Sequence, residues 1–430
     1  LLDADAEAFG IIQPILHRRR GGALEIFRNE LRTAAPLDSE SGTAKLLARQ
    51  ANAVEALFQL GETEPFWSHL GDDSDPRLRT ILIGRLSRVV ADWRRAFERL
   101  PSERNPRIRQ AIILGTFANP RDHSPSDRSD QIESLLDLFR HDPDAGVHSA
   151  AEWLLRSLEA DEQVASEAQR LAMQGPADAN WSVTRNGLTF VHISKPGVVI
   201  IGSPATEARR DVHEEQREVP IDSSFAISAC EVTIRQFLEF RRDFQYAPEV
   251  ASRSDCPINR VDLYEAMKYC RWLSEQEPDF NPLECCYPPQ AEIGPGVQLA
   301  DDFLVRRGYR LPTVAEWEYA VRAHSATSRF FGNDDADLDR FCWSARNSGE
   351  VTQPVGMLMP NPFGLFDVYG NISEWCHELG RGVEPENNQI RGGDYRSTPR
   401  FLRSAMPTTL SADRKLSIVG FRVVKISESH

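Results

Sequence analysis

Apolar residues recur at helical spacing through the first 175 positions. They do so in the opening stretch, LLDADAEAFGIIQPILHRRRGGALEIFRNELRTA, and again in TAKLLARQANAVEALFQLG, where Gly61 supplies the expected stop. Three later segments resemble one another: DSDPRLRTILIGRLSRV from Asp73, ERNPRIRQAIILGTFAN from Glu103, and HDPDAGVHSAAEWLLRSLE from His141. Each joins a polar turn, a proline and an apolar helix, and the prolines (76, 106, 143) fall at intervals of 30 and 37 residues. Proline suits a first helical turn, whose N–H has no intrahelical partner. A single repeat cannot bury its apolar face alone, so the spacing predicts an array of stacked helical repeats over 1–175. NPRDHSPSDRSD at 119–130 reads as a polar loop open to proteolytic nicking. Gly175-Pro176 marks the end of the array.

The pattern then changes to alternation. WSVTRNGLTFVHI and GVVIIGSP are rich in β-formers, and Asn186-Gly187 signals a hairpin. A charged loop, EARRDVHEEQRE, leads to an expected strand, VPIDSSFAISACEV. Thr233 is expected to cap one helix, TIRQFLEFRRDF. Asp262 caps another, whose packed face would carry Tyr264, Met267, Cys270, Trp272 and Leu273. A second domain is thus expected over 181–430.

Composition narrows the possibilities. The chain has 430 residues, with 64 acids against 50 bases and a net charge of -14, which argues against a nucleic-acid partner. No run of eighteen apolar residues predicts a membrane span, and no signal peptide is recognisable. The chain opens on Leu1 rather than Met, as a fragment or a processed product would. The seven cysteines follow no regular framework and lack a C-x-x-C, which reads as buried free thiols in a cytoplasmic protein. Arg18-Arg19-Arg20 reads as a solvated turn. His141 and His148 are seven apart, but His141 falls in a turn, so they are not expected to hold a metal.

Several motifs then appear in order. They are Ile201-Gly202-Ser203-Pro204, Glu231-Val232-Thr233, the run RLPTVAEWE from Arg310 to Glu318, and NPFGLFDVYGNISEW from Asn361 to Trp375. Arg391-Gly392-Gly393-Asp394, Arg403-Ser404-Ala405 and Gly420-Phe421-Arg422 follow. This order resembles the formylglycine-generating enzyme (sulfatase-modifying factor) family over residues 185–426. The first 175 residues resemble HEAT-type repeats, and the whole arrangement is similar to multidomain bacterial signalling proteins, in which a kinase domain often lies upstream. The resemblance implies an α+β chain: an N-terminal all-α HEAT-like array, then a loop-rich domain related to C-type lectin-like folds. Trp317, Trp343 and Trp375 would anchor that domain's core. Arg310, Glu316 and Glu374 would be buried partners of the backbone or of each other.

The family's oxidases convert a substrate cysteine to formylglycine with two cysteines, five apart, that bind copper just after the Arg-Gly-Gly-Ser segment. Here the aligned positions are Ser397 and Leu402, so the resemblance implies no copper site. A second branch of the family uses iron held by a His-x-x-x-His-x-Glu pattern, which residues 1–175 lack. The family's calcium site would be matched by Asn371 and Glu378; these residues also read simply as a turn asparagine and a solvated glutamate. What remains is a binding module. Its expected face carries Asp394, Tyr395, Arg396, Ser397 and Arg400, with Arg414 in the nearby Ser411–Arg414 segment, because Tyr and Arg dominate binding hot spots. The expected role is a non-catalytic regulatory or scaffold protein that binds a protein partner in signalling or defence. The alternative is a metal-dependent oxidoreductase of the same family with a rebuilt site. The helical array could contribute a binding surface or only brace its neighbour.

Overall fold

The computed structural model describes residues 1–4, 9, 20–34, 40–72, 75–90, 93–116, 125–172, 178–378, 383 and 386–427. Arg18-Arg19, the 119–124 part of the polar loop and Gly175-Pro176 lie outside the described residues. An all-helical region over residues 21–171 precedes a mixed, loop-rich β domain. Compactness divides the chain differently. One unit comprises Leu1–Arg128 with 325–327 and 331–333; the other comprises the remainder from Ser129.

In the first unit, helices α1 (Arg20–Leu31), α2 (Glu40–Gln59), α3 (Glu64–Leu70), α4 (Pro76–Val89), α5 (Trp93–Phe97) and α6 (Pro106–Gly115) follow one another. The repeat signature acts through capping. Asp75 and Asn105 accept the N–H of Arg77 and Arg107, and Pro76 and Pro106 open their helices, where a missing N–H costs nothing. Gly61, at φ 90°, ends α2 as expected. Leu57, Phe66, Leu82, Leu86, Ile112 and Ile113 form the buried faces. A buried arginine stitches successive repeats: Arg79 donates to Leu70 O (2.9 Å), Arg107 O and Gln110 Oε1 (both 3.1 Å).

The second unit begins within α7 (Pro125–His141) and continues through α8 (Ala145–Ser157) and α9 (Asp161–Leu171). The third repeat differs from the others, because Pro143 precedes the cap and Asp144 is the capping residue of α8. Trp181, the first residue of the β domain, stacks on His148 of α8 at 3.7 Å. It also donates its indole N–H to Asp142 O (2.8 Å). His148 lies between Phe139 and Trp181, and burial pushes its pKa down to about 4. His141 ends α7 on the exposed side, hydrogen-bonded to Asp137. The two histidines therefore have separate surroundings.

Three sheets follow among the described residues. The first has the order β1 (Trp181–Val183), β2 (Thr189–Ile193), β5 (Phe225–Ser228), β10 (Val424–Ile426), all antiparallel, so the end of the domain pairs back onto its beginning. The second is the hairpin β3 (Gly197–Ile201) with β4 (Arg217–Ile221). The third has the order β8 (Thr408–Leu410), β7 (Asn388–Arg391), β6 (Ser373–Cys376), β9 (Val419–Gly420), with only β6 and β9 parallel. The single strand expected over VPIDSSFAISACEV is two strands in different sheets, broken at Asp222–Ser224. Helices α10 (Ile234–Phe240), α11 (Leu263–Glu275) and α12 (Val314–Arg322) start at Thr233, Asp262 and Thr313, each capping with its side chain. Trp317 and Trp375 are fully buried, whereas Trp343 is only half-buried.

Candidate functional site

The motif residues meet in a buried polar network that positions everything around it. Glu374 of β6 receives Arg422 through two bonds (2.6 and 2.7 Å) and the indole N–H of Trp317 (2.8 Å). Arg422 also donates to the carbonyls of Ser228, Ala229 and Phe366, joining β5 and the 361–375 segment to β6. Arg310 and Glu316 form a second bidentate pair (2.7 and 2.6 Å), and Glu316 returns to the Thr313 N–H in a capping box. Buried ion pairs of this quality offset their desolvation because each carboxylate oxygen has at least one donor. Arg310, Glu316 and Glu374 are thus buried partners, as expected. The Gly-Ser-Pro motif is explained likewise. Gly202, at φ 93°, lies so close to Glu215 that a Cβ would come within 2.5 Å of its carbonyl oxygen, and its N–H is held by Glu318 Oε1 (2.8 Å).

The segment after Gly393 is a tight turn. Asp394 Oδ1 accepts the Arg396 N–H (2.7 Å), and the Asp394 N–H donates to Ser397 Oγ (3.0 Å). Partial burial raises the Asp394 pKa. Tyr395, expected on the exposed face, is instead fully buried against Ala247, Val250 and Ile418, because its backbone is drawn inward by Asn371 O and the Ser348 hydroxyl. Arg396 is exposed and lies over the Tyr395 ring (5.1 Å). Arg400 is exposed over Phe401 (5.9 Å), itself 42% exposed. Arg414 is exposed in a separate turn, next to the Lys415–Asp262 pair. The surface of the turn is therefore Arg396, Arg400 and Phe401, with Asp394 and Ser397 shaping the backbone beneath.

The residues at the copper positions do not fit copper. Leu402 is a fully buried hydrocarbon, and the Ser397 hydroxyl is engaged by the Asp394 N–H. Soft thiolates are what Cu(I) requires. Six cysteines are buried and Cys230 half-buried, all as free thiols, and burial raises the Cys376 thiol pKa well above its ordinary value. Among the described residues no three His, Cys, Asp or Glu side chains cluster as metal ligands. Asn371 (φ 52°) is a buried turn residue: its Oδ1 accepts the Gln353 N–H (2.9 Å) and its amide donates to Gln353 O (3.2 Å) and Glu231 Oε1 (3.4 Å). Glu378 lines a surface cavity instead, 4.0 Å from Arg217.

That cavity, about 440 Å3, was not anticipated. It is bounded by the β3–β4 hairpin, α12, strands β7 and β8 and Glu378 just after β6, with Glu318, Gln389 and Arg391 in its lining. The signal for it lies in the alternation of β7, where Gln389 and Arg391 flank the buried Ile390 and so share the opposite face.

Comparison with known proteins places these motifs. Chaperone protein LppX of Paenibacillus barcinonensis is 28% identical over 229 residues, covering 47% of this chain and 80% of that protein. Formylglycine-generating enzyme of Mycobacterium tuberculosis is 25% identical over 220 residues, 43% of this chain and 62% of that enzyme. Serine/threonine-protein kinase pkn1 of Chlamydia pneumoniae is 32% identical over 135 residues, covering 27% of this chain and only 21% of the kinase. No described helix is long and apolar enough to cross a membrane. The model of the sulfatase-modifying factor enzyme 1-like domain matches residues 189–427, the span that holds the Glu374–Arg422 and Arg310–Glu316 pairs, and this chain belongs to that family.

Proposed function

We propose that this chain is a non-catalytic regulatory or scaffold protein that uses the family's frame to bind a protein partner. The observation that carries the reading is Leu402: a buried leucine, paired with a serine hydroxyl already in use, occupies the place of the two thiolates. The rest of the frame is intact, so what the turn offers is shape and charge. Arg400 over the partly exposed Phe401 and Arg396 over the buried Tyr395 present two cations on this turn, a combination suited to an acidic partner surface. The names of the relatives differ, one being called a chaperone, another a protein kinase and a third the formylglycine-generating enzyme, so the frame occurs in proteins named for more than one role.

Two measurements test this. The purified full chain, titrated with Cu(I), should take up no stoichiometric copper and should not consume oxygen with a cysteine-containing peptide; stoichiometric copper with turnover would establish the oxidase instead. Affinity capture from the source cells, with Arg396→Ala and Arg400→Ala as controls, should lose the partner. Each substitution is expected to weaken binding by about 2 kcal/mol, the scale of an interface hot spot. Unchanged capture by both variants would exclude this face.

A further inference from the structure

The β3–β4 hairpin has two outer edges, and only one of them is protected. Among the described residues no third strand joins this sheet. One of its faces packs on α12 and buries Val199, Ile201, Val219 and Ile221. Pro220 decides which way the backbone groups point. It stands opposite Val198 and has no N–H, so the two cannot form a hydrogen-bonded pair. Bonded and non-bonded pairs alternate along an antiparallel ladder, so the bonded ones are Gly197–Ile221, Val199–Val219 and Ile201–Arg217. The N–H and C=O of Val198 and Ile200 therefore point away from β4. Among the described residues none of these groups has a hydrogen-bond partner.

The two edges differ in what they offer. That of β4 presents Glu218 and Pro220, a charge and a missing donor, which are the devices by which natural sheets deter further pairing. That of β3 keeps every donor and acceptor. It also carries Val198 at 66% and Ile200 at 60% exposure on the face turned from α12. Both are β-branched residues suited to a pleated, half-buried surface. An exposed apolar edge of this kind is a template for another strand.

The same edge on a second copy of the chain is its geometric complement. Let the two β3 strands run antiparallel, with a two-fold axis at Val199. Val198 of each copy then exchanges backbone hydrogen bonds with Ile200 of the other, and every outward group of both strands is paired. Across the join, each Val198 side chain lies directly beside an Ile200, an apolar cross-strand pair. The Glu218 carboxylates fall on the outermost strands, on opposite sides of the axis, and do not meet. We infer that β3 is a homodimerisation edge, which joins two copies of this chain into one sheet of order β4–β3–β3–β4. A single strand pair buries less than the roughly 1,200 Å2 of a stable complex, so this dimer is reversible and depends on concentration. The inference does not rest on the Arg396–Arg400 turn or its partner.

Sedimentation velocity of the full chain tests this. Between about 2 and about 200 µM, the range of a small transient interface, monomer should give way to dimer. Val198→Lys sets a charge against the apolar Ile200 of the other copy. At an exposed position it should retain the melting temperature while weakening association at least about tenfold. Val199→Cys reports the register, because this position is buried in the single chain and only the two-fold axis brings its two copies together. Mild oxidation of that variant should give a 199–199 disulfide, identified by mass spectrometry, and adding Val198→Lys should reduce its yield. A monomer throughout the concentration range, a dimer that Val198→Lys leaves unchanged, or a dimer without the 199–199 link would overturn the inference.

Discussion

Asp367 occupies an unusual position for a carboxyl group. It is buried at φ 53°, with Oδ2 accepting the Gly356 N–H (2.7 Å) and Oδ1 unpaired. Burial raises its pKa from an ordinary 3.8 to about 6, against the opposing pull of the Gly356 N–H and the Arg422 guanidinium. The folded protein thus holds a proton that the unfolded chain releases more readily. Stability from this group is fully present below the unfolded value and is lost as pH rises through about 6. Asp367→Asn keeps an acceptor for Gly356 and tolerates the left-handed backbone, but cannot ionise. Urea unfolding of both proteins at pH 4 and pH 7.5 should show the variant gaining on the wild type as pH rises; a constant difference would mean that the carboxyl titrates normally. Residue roles of this kind were partly legible in the sequence. Arg310, Glu316 and Glu374 could be read as internal partners, because a loop-rich domain must satisfy its polar atoms inside. Tyr395 could not be read correctly, because the same aromatic serves a core or a binding face. Its burial depends on Ala247, Val250 and Ile418, which are distant in sequence.

At the scale of elements, turns and caps were the most legible features. Prolines at 76 and 106 mark helix starts by position, just after the capping Asp75 and Asn105, while Thr233 and Asp262 cap their helices with their own side chains. The break between β4 and β5 was not legible, since β-forming residues flank Asp222 on both sides and only pairing partners decide which sheet each strand joins. One element contact gives a direct test. Gly364, at φ 96°, lies against α8, where an added Cβ would come within 2.5 Å of Ala145 O and 2.8 Å of Ser149 Oγ. The Ser149 hydroxyl donates to Gly364 O at 2.9 Å. Gly364→Ala combines a strained backbone with overpacking, each worth about 1–3 kcal/mol, so a loss of about 3 kcal/mol is expected by urea denaturation. Ser149→Ala should cost only about 1 kcal/mol, the value of one hydrogen bond. If Gly364→Ala were neutral, α8 and the Asn361–Trp375 segment would not be packed together.

At the scale of the whole molecule, the change from helical to alternating pattern near residue 175 locates where β structure begins, but compactness places the division at Ser129. The apolar face of a helix looks the same in sequence whether it packs on another repeat or on a sheet. Helices α8 and α9 were therefore read with the repeats that precede them. In the structure, Trp181 of β1 stacks on His148, and its indole is held by Asp142 O. Asn180 Oδ1 accepts the Ala145 N–H at the start of α8, and Gly364 sits against the same helical turn. These contacts make the helices after Ser129 part of the second unit's core. Two truncated chains separate the alternatives. One starting at Ser129 retains every one of these contacts and should unfold cooperatively on heating. One starting at Asp178 uncovers Trp181 and Gly364 and leaves the indole N–H and the Asn180 carboxamide without their partners. That chain should melt substantially lower or lose its cooperative transition, because a core indole and two hydrogen bonds together are worth several kcal/mol, a large part of a domain's total stability. Equal melting temperatures for the two would return α8 and α9 to the helical array and restore the division near 175.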